Sequence, residues 1–311
     1  MPFRPSPRQL EYLLAVIETG HFREAARLCN VSQPTLSAQL QLLEDQLGAA
    51  LIDRTPGRSR ATPIGEKVAV LARTTLTSLD EIVAVARQST GQMGGLVRLG
   101  VAPTFGPYYL PRLLPHLHDA YPDLEIYIRE DRAHLLEASV MEGTIDCALG
   151  PQPEERSRLD YLELMVEPLY LGMASRHRLA AAGEVRIEML AGERMLTLGS
   201  GHRLSHQVRA LSAQSGAVMR EEYEGTSLDA LRQMVSIGMG LSLFPELYAA
   251  SEFARREEQV VLRRIADLPL ARSVGLLWRK DHVRASHFAS FGAACRRIAE
   301  TIGTPRPSSL G

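Results

Sequence analysis

The sequence predicts two unlike parts: an all-α amino-terminal head continued by one long helix, and a two-lobed α/β part of alternating strands and helices. Three observations carry this. Apolar residues recur at helical spacing from Leu10 to Ile82, a glycine-rich break follows at residues 91–95, and short apolar strands alternate with helical stretches beyond it. A chain of 311 residues exceeds one typical domain, so about two are expected.

In the head, Leu10, Leu13, Leu14 and Ile17 mark a first amphipathic helix, and Phe22, Ala25, Ala26 and Cys29 mark a second. A third begins at Ser32, whose hydroxyl suits an N-cap, with Pro34 in the first turn where a missing N–H loses no intrahelical bond. Leu36, Leu40, Leu43 and Leu47 form its apolar stripe, while Pro34, Ser37, Ala38 and Gln41 take the other side and Gln33 its exposed beginning. Small and amide side chains at such a start suit entry into a major groove, because bulky residues hold a helix away and amides bond base edges in pairs. An ordinary helical hairpin with a solvated face is the plain alternative. Arg54, Arg58 and Arg60 follow among Thr55, Pro56, Gly57 and Ser59. That is turn chemistry carrying cations within reach of phosphate, unless the loop is simply solvated and Arg54 pairs with Asp53.

Thr62 and Pro63 open a long helix in which Ile64, Val68, Leu71, Leu79, Ile82 and Ala86 keep three-and-four spacing to about Gln88, a rod of roughly 40 Å. Such a rod is too long to bury its stripe against a small head. A second copy is the natural partner, giving a homodimer with two heads and two half-sites. Packing of the rod on its own α/β part is the alternative.

Gly91, Gln92, Met93, Gly94 and Gly95 then read as a hinge. Strands are expected at Leu96–Val101, Leu124–Ile128 and Ile145–Leu149, with helices at Tyr109–Tyr121 and Ala133–Glu142, which implies a parallel sheet covered on both faces. VRLGVA at 97–102 is echoed by LYLGMA at 169–174, so each is read as an early strand of its own lobe. Val274–Trp278 and the helix Ala285–Thr301 return the chain to the first lobe, leaving a cleft between the two. The expected boundaries are 1–65 for the head, 66–91 for the linker helix, 92–96 for the hinge and 97–311 for the α/β part. Within the last, lobe I takes 97–168 and 272–302, lobe II 169–271, and a disordered tail 303–311.

Ligands of open α/β sheets lie beyond the carboxyl ends of strands, where helix N-termini offer free N–H groups. Thr104, the Gly199-Ser200-Gly201-His202 entry to a helix, and Thr226 with Ser227 are three polar helix starts at such places. Together they suggest a small polar or anionic ligand; singly, each is an N-cap.

Composition narrows the function. A net charge of -1, from 35 Lys+Arg and 36 Asp+Glu, argues against coating nucleic acid by bulk charge, so any contact comes from a local patch. Cys29, Cys147 and Cys295 are odd in number, far apart and set in apolar stretches. They fit buried thiols in a reducing compartment better than disulfides or a metal site. The first residues lack signal-peptide architecture and no run reaches membrane-spanning length, so a cytoplasmic protein without membrane contact is expected. No catalytic or cofactor site assembles: His202 and His206 lack a third metal ligand nearby, and Gly238-Met239-Gly240 is too short for a nucleotide fingerprint.

The run VSQPTLSAQLQLLEDQLG followed by ALIDRTPGRSRATPIGE resembles the winged helix-turn-helix of the LysR-type transcriptional regulators. The resemblance extends over essentially the whole chain. It implies a winged helix-turn-helix, a long linker helix and an α/β effector domain with two lobes like a periplasmic binding protein. It further implies double-stranded DNA at a promoter, contact with RNA polymerase, a homodimer through the linker helix and, for many members, a homotetramer. By that resemblance Gln33, Pro34 and Ser37 meet base edges or the adjoining backbone, while Arg54 and Arg58 hold phosphate; Ser32, Thr35 and Gln41 complete the candidate DNA-binding set.

Within the family, GVAPTFGPYYLPRLLP, LTLGSGHRLSHQVRALSAQSGA and GTSLDALRQMVSIGMGLSLFPE most resemble the peroxide-sensing OxyR branch. Those sensors carry a reactive cysteine just after the glycine-histidine pair and a resolving one nine residues later. Here Arg203 and Ser212 stand at these places. Neither supplies a thiolate, so sensing by that route is not expected. Arg203 instead offers a planar, permanent cation that matches carboxylate or phosphate. The expected effector is therefore a small anion held by Thr104, Ser200, His202, Arg203, Thr226 and Ser227, with His202 positioning it or tuning the response with pH. The rival expectation pairs Arg203 with Glu221 or Glu222 and needs no ligand.

Overall fold

The computed structural model describes residues 3–54, 58–88, 94–154, 156–253, 259–282 and 284–302. They divide into two compact units, residues 1–90 with 142–144, and residues 91–141 with 145–311.

The first unit opens with three helices, α1 (Pro7–Thr19), α2 (Phe22–Leu28) and α3 (Gln33–Leu47). Ser6 caps α1 through a capping box with Gln9, and Gly20, at φ 71°, ends it. Asn30, at φ 54°, turns the chain between α2 and α3 in the left-handed region that asparagine tolerates. Ser32 then accepts the Thr35 N–H and starts α3 as its sequence requires. Leu13, Val16, Ala25, Leu36, Leu40, Leu43 and Leu51 close a dry core. Leu47 is 39% exposed and drops out of the predicted stripe. Its place on the packing face is taken by Glu44, whose carboxylate has its own use there.

Beyond α3 come β1 (Ile52–Asp53) and β2 (Arg60–Ala61), a small antiparallel pair that makes the wing; its turn, Thr55 to Gly57, lies outside the described residues. The long helix α4 spans Pro63–Gln88 as expected. Ala69 and Ala72 are buried, but Ile64, Leu71, Leu79 and Ile82 stay 52%, 67%, 37% and 66% exposed. Ala86, Gly91 to Met93 and the tail from 303 onward fall outside the described side chains.

The second unit continues with β3 (Gly95–Val101), α5 (Gly106–Ala120), β4 (Leu124–Glu130), α6 (Ala133–Glu142) and β5 (Cys147–Pro151). Next come β6 (Leu159–Ala174), β7 (Arg194–Leu198), α7 (Arg203–Ser215), β8 (Val218–Gly225) and α8 (Leu228–Ser236). The last elements are β9 (Ser242–Pro245), α9 (Glu246–Glu252), β10 (Val260–Arg263), β11 (Ala271–Arg279) and α10 (Ala285–Ile302). In lobe I, β4, β3 and β5 run parallel, but β11 is antiparallel to β5 and β6. The sheet is thus mixed, not parallel throughout. Two strands cross between lobes in opposite directions, and an outgoing and a returning strand must pair antiparallel.

One of them is β6, a single strand of 16 residues. Its first half pairs with β11 in lobe I and its second with β9 and β10 in lobe II. The LYLGMA echo is therefore the far half of this strand and not an independent start. Each lobe has its own apolar core, centred on Val97, Leu113, Leu276 and Phe291 in lobe I and on Met173, Leu196, Leu231 and Phe244 in lobe II.

Candidate functional site

Two places collect the candidate residues. At the first, the start of α3, Ser32, Gln33, Pro34, Thr35 and Gln41 are exposed and Ser37 is half-buried. Ser32 and Thr35 hold each other, hydroxyl to hydroxyl, at 2.7 Å. Gln41 donates to Asp45 at 2.9 Å along the same face. Gln33 presents an amide at the exposed helix tip, the group whose bidentate contacts discriminate adenine.

The wing is fixed to α3 by a residue the sequence reading missed. Glu44 is 6% exposed. One of its oxygens accepts the backbone N–H of Leu51 at 2.7 Å and of Ile52 at 3.0 Å; the other accepts from Arg54 at 2.7 Å. Arg54 also lies over the Phe22 ring, 5.4 Å from its centroid, and keeps 40% of its side chain exposed. Glu44 thus holds Arg54 in the fold. The signal was present: Glu44 is four residues after Leu40, on the packing face, where a charge needs partners. Arg58 is exposed at the base of the wing, and its side chain crosses Gly20, where any Cβ would strike it.

The second place is a cavity of about 380 Å³ between the lobes, lined by Arg132, His134, Glu137 and Glu154 on one side and Ser200, His202, Arg203 and His206 on the other. The amino-terminal ends of α6 and α7 both reach it. Gly201 allows this approach, since a Cβ there would sit 2.6 Å from the Arg132 side chain and 3.1 Å from His134. His202 is 7% exposed, and burial, then Arg132 and His134, hold its imidazole below the ordinary pKa. Arg203 donates to Glu154 at 2.5 Å and to Glu137 at 3.1 Å. Its acidic partners therefore come from lobe I; the side chains of Glu221 and Glu222, the predicted partners, lie outside the described residues.

The other predicted effector residues do not gather here. Thr104 is buried, and its hydroxyl and carbonyl oxygens each accept from Arg272 at 2.8 Å. Arg272 in turn binds Glu167 at 2.8 Å, and Glu167 accepts the Leu247 N–H at 2.8 Å. Glu167 and Arg272 are cross-strand partners on β6 and β11, the two crossing strands. A lone carboxylate inside the apolar run MVEPLYLGM was the sequence signal for this network. Ser227 caps α8 by accepting the Ala230 N–H, and exposed Thr226 precedes it; neither lines the cavity. Among the described residues, no group of three or more His, Cys, Asp or Glu side chains is placed to hold a metal.

Comparison with known proteins places both parts. Residues 7–66 match the bacterial regulatory helix-turn-helix of the lysR family, and residues 90–300 match the LysR substrate binding domain. The DNA-binding transcriptional dual regulator OxyR of Escherichia coli K12 is 37% identical over 289 residues, covering 93% of this chain and 94% of its own. A full-length OxyR variant from Pseudomonas aeruginosa, with one cysteine replaced by aspartate, superposes with a TM-score of 0.74 at 28% identity, over 94% of this chain and 98% of that one. Full-length CbnR in complex with its target DNA has the same fold, with a TM-score of 0.68 at 23% identity, over 94% of this chain and all of that one. No helix among the described residues is long and apolar enough to cross a membrane. The chain belongs to the LysR family of DNA-binding transcriptional regulators, close to OxyR, and is not an enzyme.

Proposed function

We propose that this regulator reads operator DNA through the start of α3 and answers a small anion bound in the cavity between its effector lobes, without thiol chemistry. The observation that carries the effector reading is Arg203. Its guanidinium stands at the first turn of α7 in lobe II and reaches to α6 and the β5 exit of lobe I, so whatever it binds couples the lobes. Two helix N-termini and Arg132 add positive potential around it.

Thiol sensing is disfavoured by the surroundings of the cysteines. Cys147 and Cys295 are fully buried, and burial raises both thiols, Cys295 to about 12. Burial raises Cys29 as well. A raised thiol holds little thiolate, the form that attacks peroxide. The relatives named for hydrogen peroxide responses suggest the opposite reading, and peroxide treatment separates the two.

In the mechanism, anion binding favours one arrangement of the lobes, which reorients the paired α4 rods and changes the spacing of the heads on DNA and their contact with RNA polymerase. The apolar stripe left exposed along α4 supports a homodimer through that helix, with a homotetramer as the fuller assembly. Ser32, Gln33, Pro34, Thr35, Ser37 and Gln41 take the groove, and Arg54 and Arg58 the phosphates.

A second reading keeps its own support. Glu137 and Glu154 already occupy Arg203, as a ligand-independent lock would require. Thermal-shift screening of the full chain against small carboxylates and aromatic acids decides between them. The anion reading expects a rise in Tm that Arg203→Ala removes; no rise with any anion, or a rise that survives the substitution, supports the lock.

A further inference from the structure

The Arg203 fork is filled by two separate carboxylates that differ sharply in how firmly they are held. Glu137 projects from α6 with its side chain 13% exposed, whereas Glu154 lies past the end of β5 with its side chain 70% exposed. Each takes one terminal nitrogen of the guanidinium. An oxoanion binds arginine at the same terminal nitrogens that these two carboxylates occupy. The structure therefore shows the edge of Arg203 satisfied by a pair of oxygens from the protein itself.

We propose that Glu154 is an internal competitor, a carboxylate arm that stands in for the effector and must leave Arg203 when a compact oxoanion enters the cavity. This rests on the anionic-effector reading and adds how the site is kept shut. Glu154 can leave at little cost, because an exposed carboxylate is rehydrated fully on release and exposed ion pairs contribute little. Glu137 cannot follow so readily; it stays on its helix at the other nitrogen. An entering anion takes the nitrogen that Glu154 vacates and turns its remaining oxygens toward Arg132 and the open ends of α6 and α7, away from Glu137.

The geometry limits the ligand class. About 380 Å³ is near the lower end for small-molecule pockets, so the occupant is compact. It carries at least two acceptor oxygens, one for Arg203 and one for Arg132 or the helix ends. Inorganic phosphate and malonate both meet this description, and their separate affinities distinguish a tetrahedral oxoanion from a short dicarboxylate.

Calorimetric titration of the full chain with each anion tests the proposal, using wild type, Glu154→Gln and Arg203→Gln. Removing the competitor's charge is expected to tighten binding by about three- to five-fold, the scale of an exposed ion pair, while Arg203→Gln abolishes it. Wild-type binding that depends on Arg203 but is unchanged or weakened in Glu154→Gln overturns the competitor role and leaves the anionic effector standing. Absence of binding in both wild type and Glu154→Gln overturns both.

Discussion

The carboxylate of Glu44 on α3 binds the guanidinium of Arg54 at the edge of the wing, 2.7 Å away, while also accepting two wing N–H groups. One buried side chain thereby fixes the angle between α3, the helix proposed to read DNA, and the wing beside it. Glu44→Ala strands both N–H groups and frees Arg54, and the expected cost is about 3 kcal/mol of stability for a buried charged acceptor. Urea unfolding of the full chain checks it; a loss well under 1 kcal/mol would assign the wing's position to other contacts.

Arg54 is clamped by Glu44 and Phe22 yet remains partly open to solvent, a placement that suits a pre-oriented phosphate contact. Arg54→Ala is expected to weaken binding to all DNA sequences alike and to lower the salt slope by about 1. Gln33→Ala is expected to act differently, relaxing one base position by about 1–3 kcal/mol. Gel-shift titrations over a salt series, on an operator and its single-base variants, separate the two effects.

The Glu167–Arg272 pair predicts an asymmetric response. Both side chains are buried, so Arg272→Met leaves an unpaired carboxylate between the crossing strands and should cost about 3–5 kcal/mol. Adding Glu167→Gln should return much of that loss, because an amide tolerates burial better than a lone charge. Equal losses in the single and double variants would show that Arg272 acts through its packing and its two bonds to Thr104, not through the Glu167 charge.

Acid should destabilise the effector domain early. His282 and His287 are buried, and burial first, then neighbouring arginines, lower both to about 4. Each stays neutral in the fold while the unfolded chain protonates below about 6.5. Their contribution is complete above that pH and declines as pH falls toward 4, by about 2 kcal/mol for each group at pH 5. Unfolding free energies at pH 7, 6 and 5 check this, with His282→Gln and His287→Gln each expected to flatten the decline.

Much of the head was legible because its signals are local. Ser32, Pro34 and the leucines that follow specify α3 within one stretch of chain, and Gly20 and Asn30 supply the turns. The effector part was legible in its elements and less so in their pairing. Whether β11 runs with or against β5 depends on where the chain returns from lobe II, which no window of residues records. The cavity shows the same division. Arg203 stands out as a cation at a helix start, but Glu137 and Glu154 are surface-like acids 66 and 49 residues away, brought to it by the way the lobes face. Thr104 reads as a ligand contact from its place after a strand; Arg272, 168 residues later, occupies it instead.

Sensing without thiols is tested most directly by a footprint of the full chain on its operator before and after stoichiometric hydrogen peroxide, with free thiols counted in parallel. An anion-responsive regulator leaves the footprint unchanged and retains three thiols on Cys29, Cys147 and Cys295. A peroxide-driven change in the footprint that Cys147→Ser or Cys295→Ser abolishes would contradict sensing without thiols.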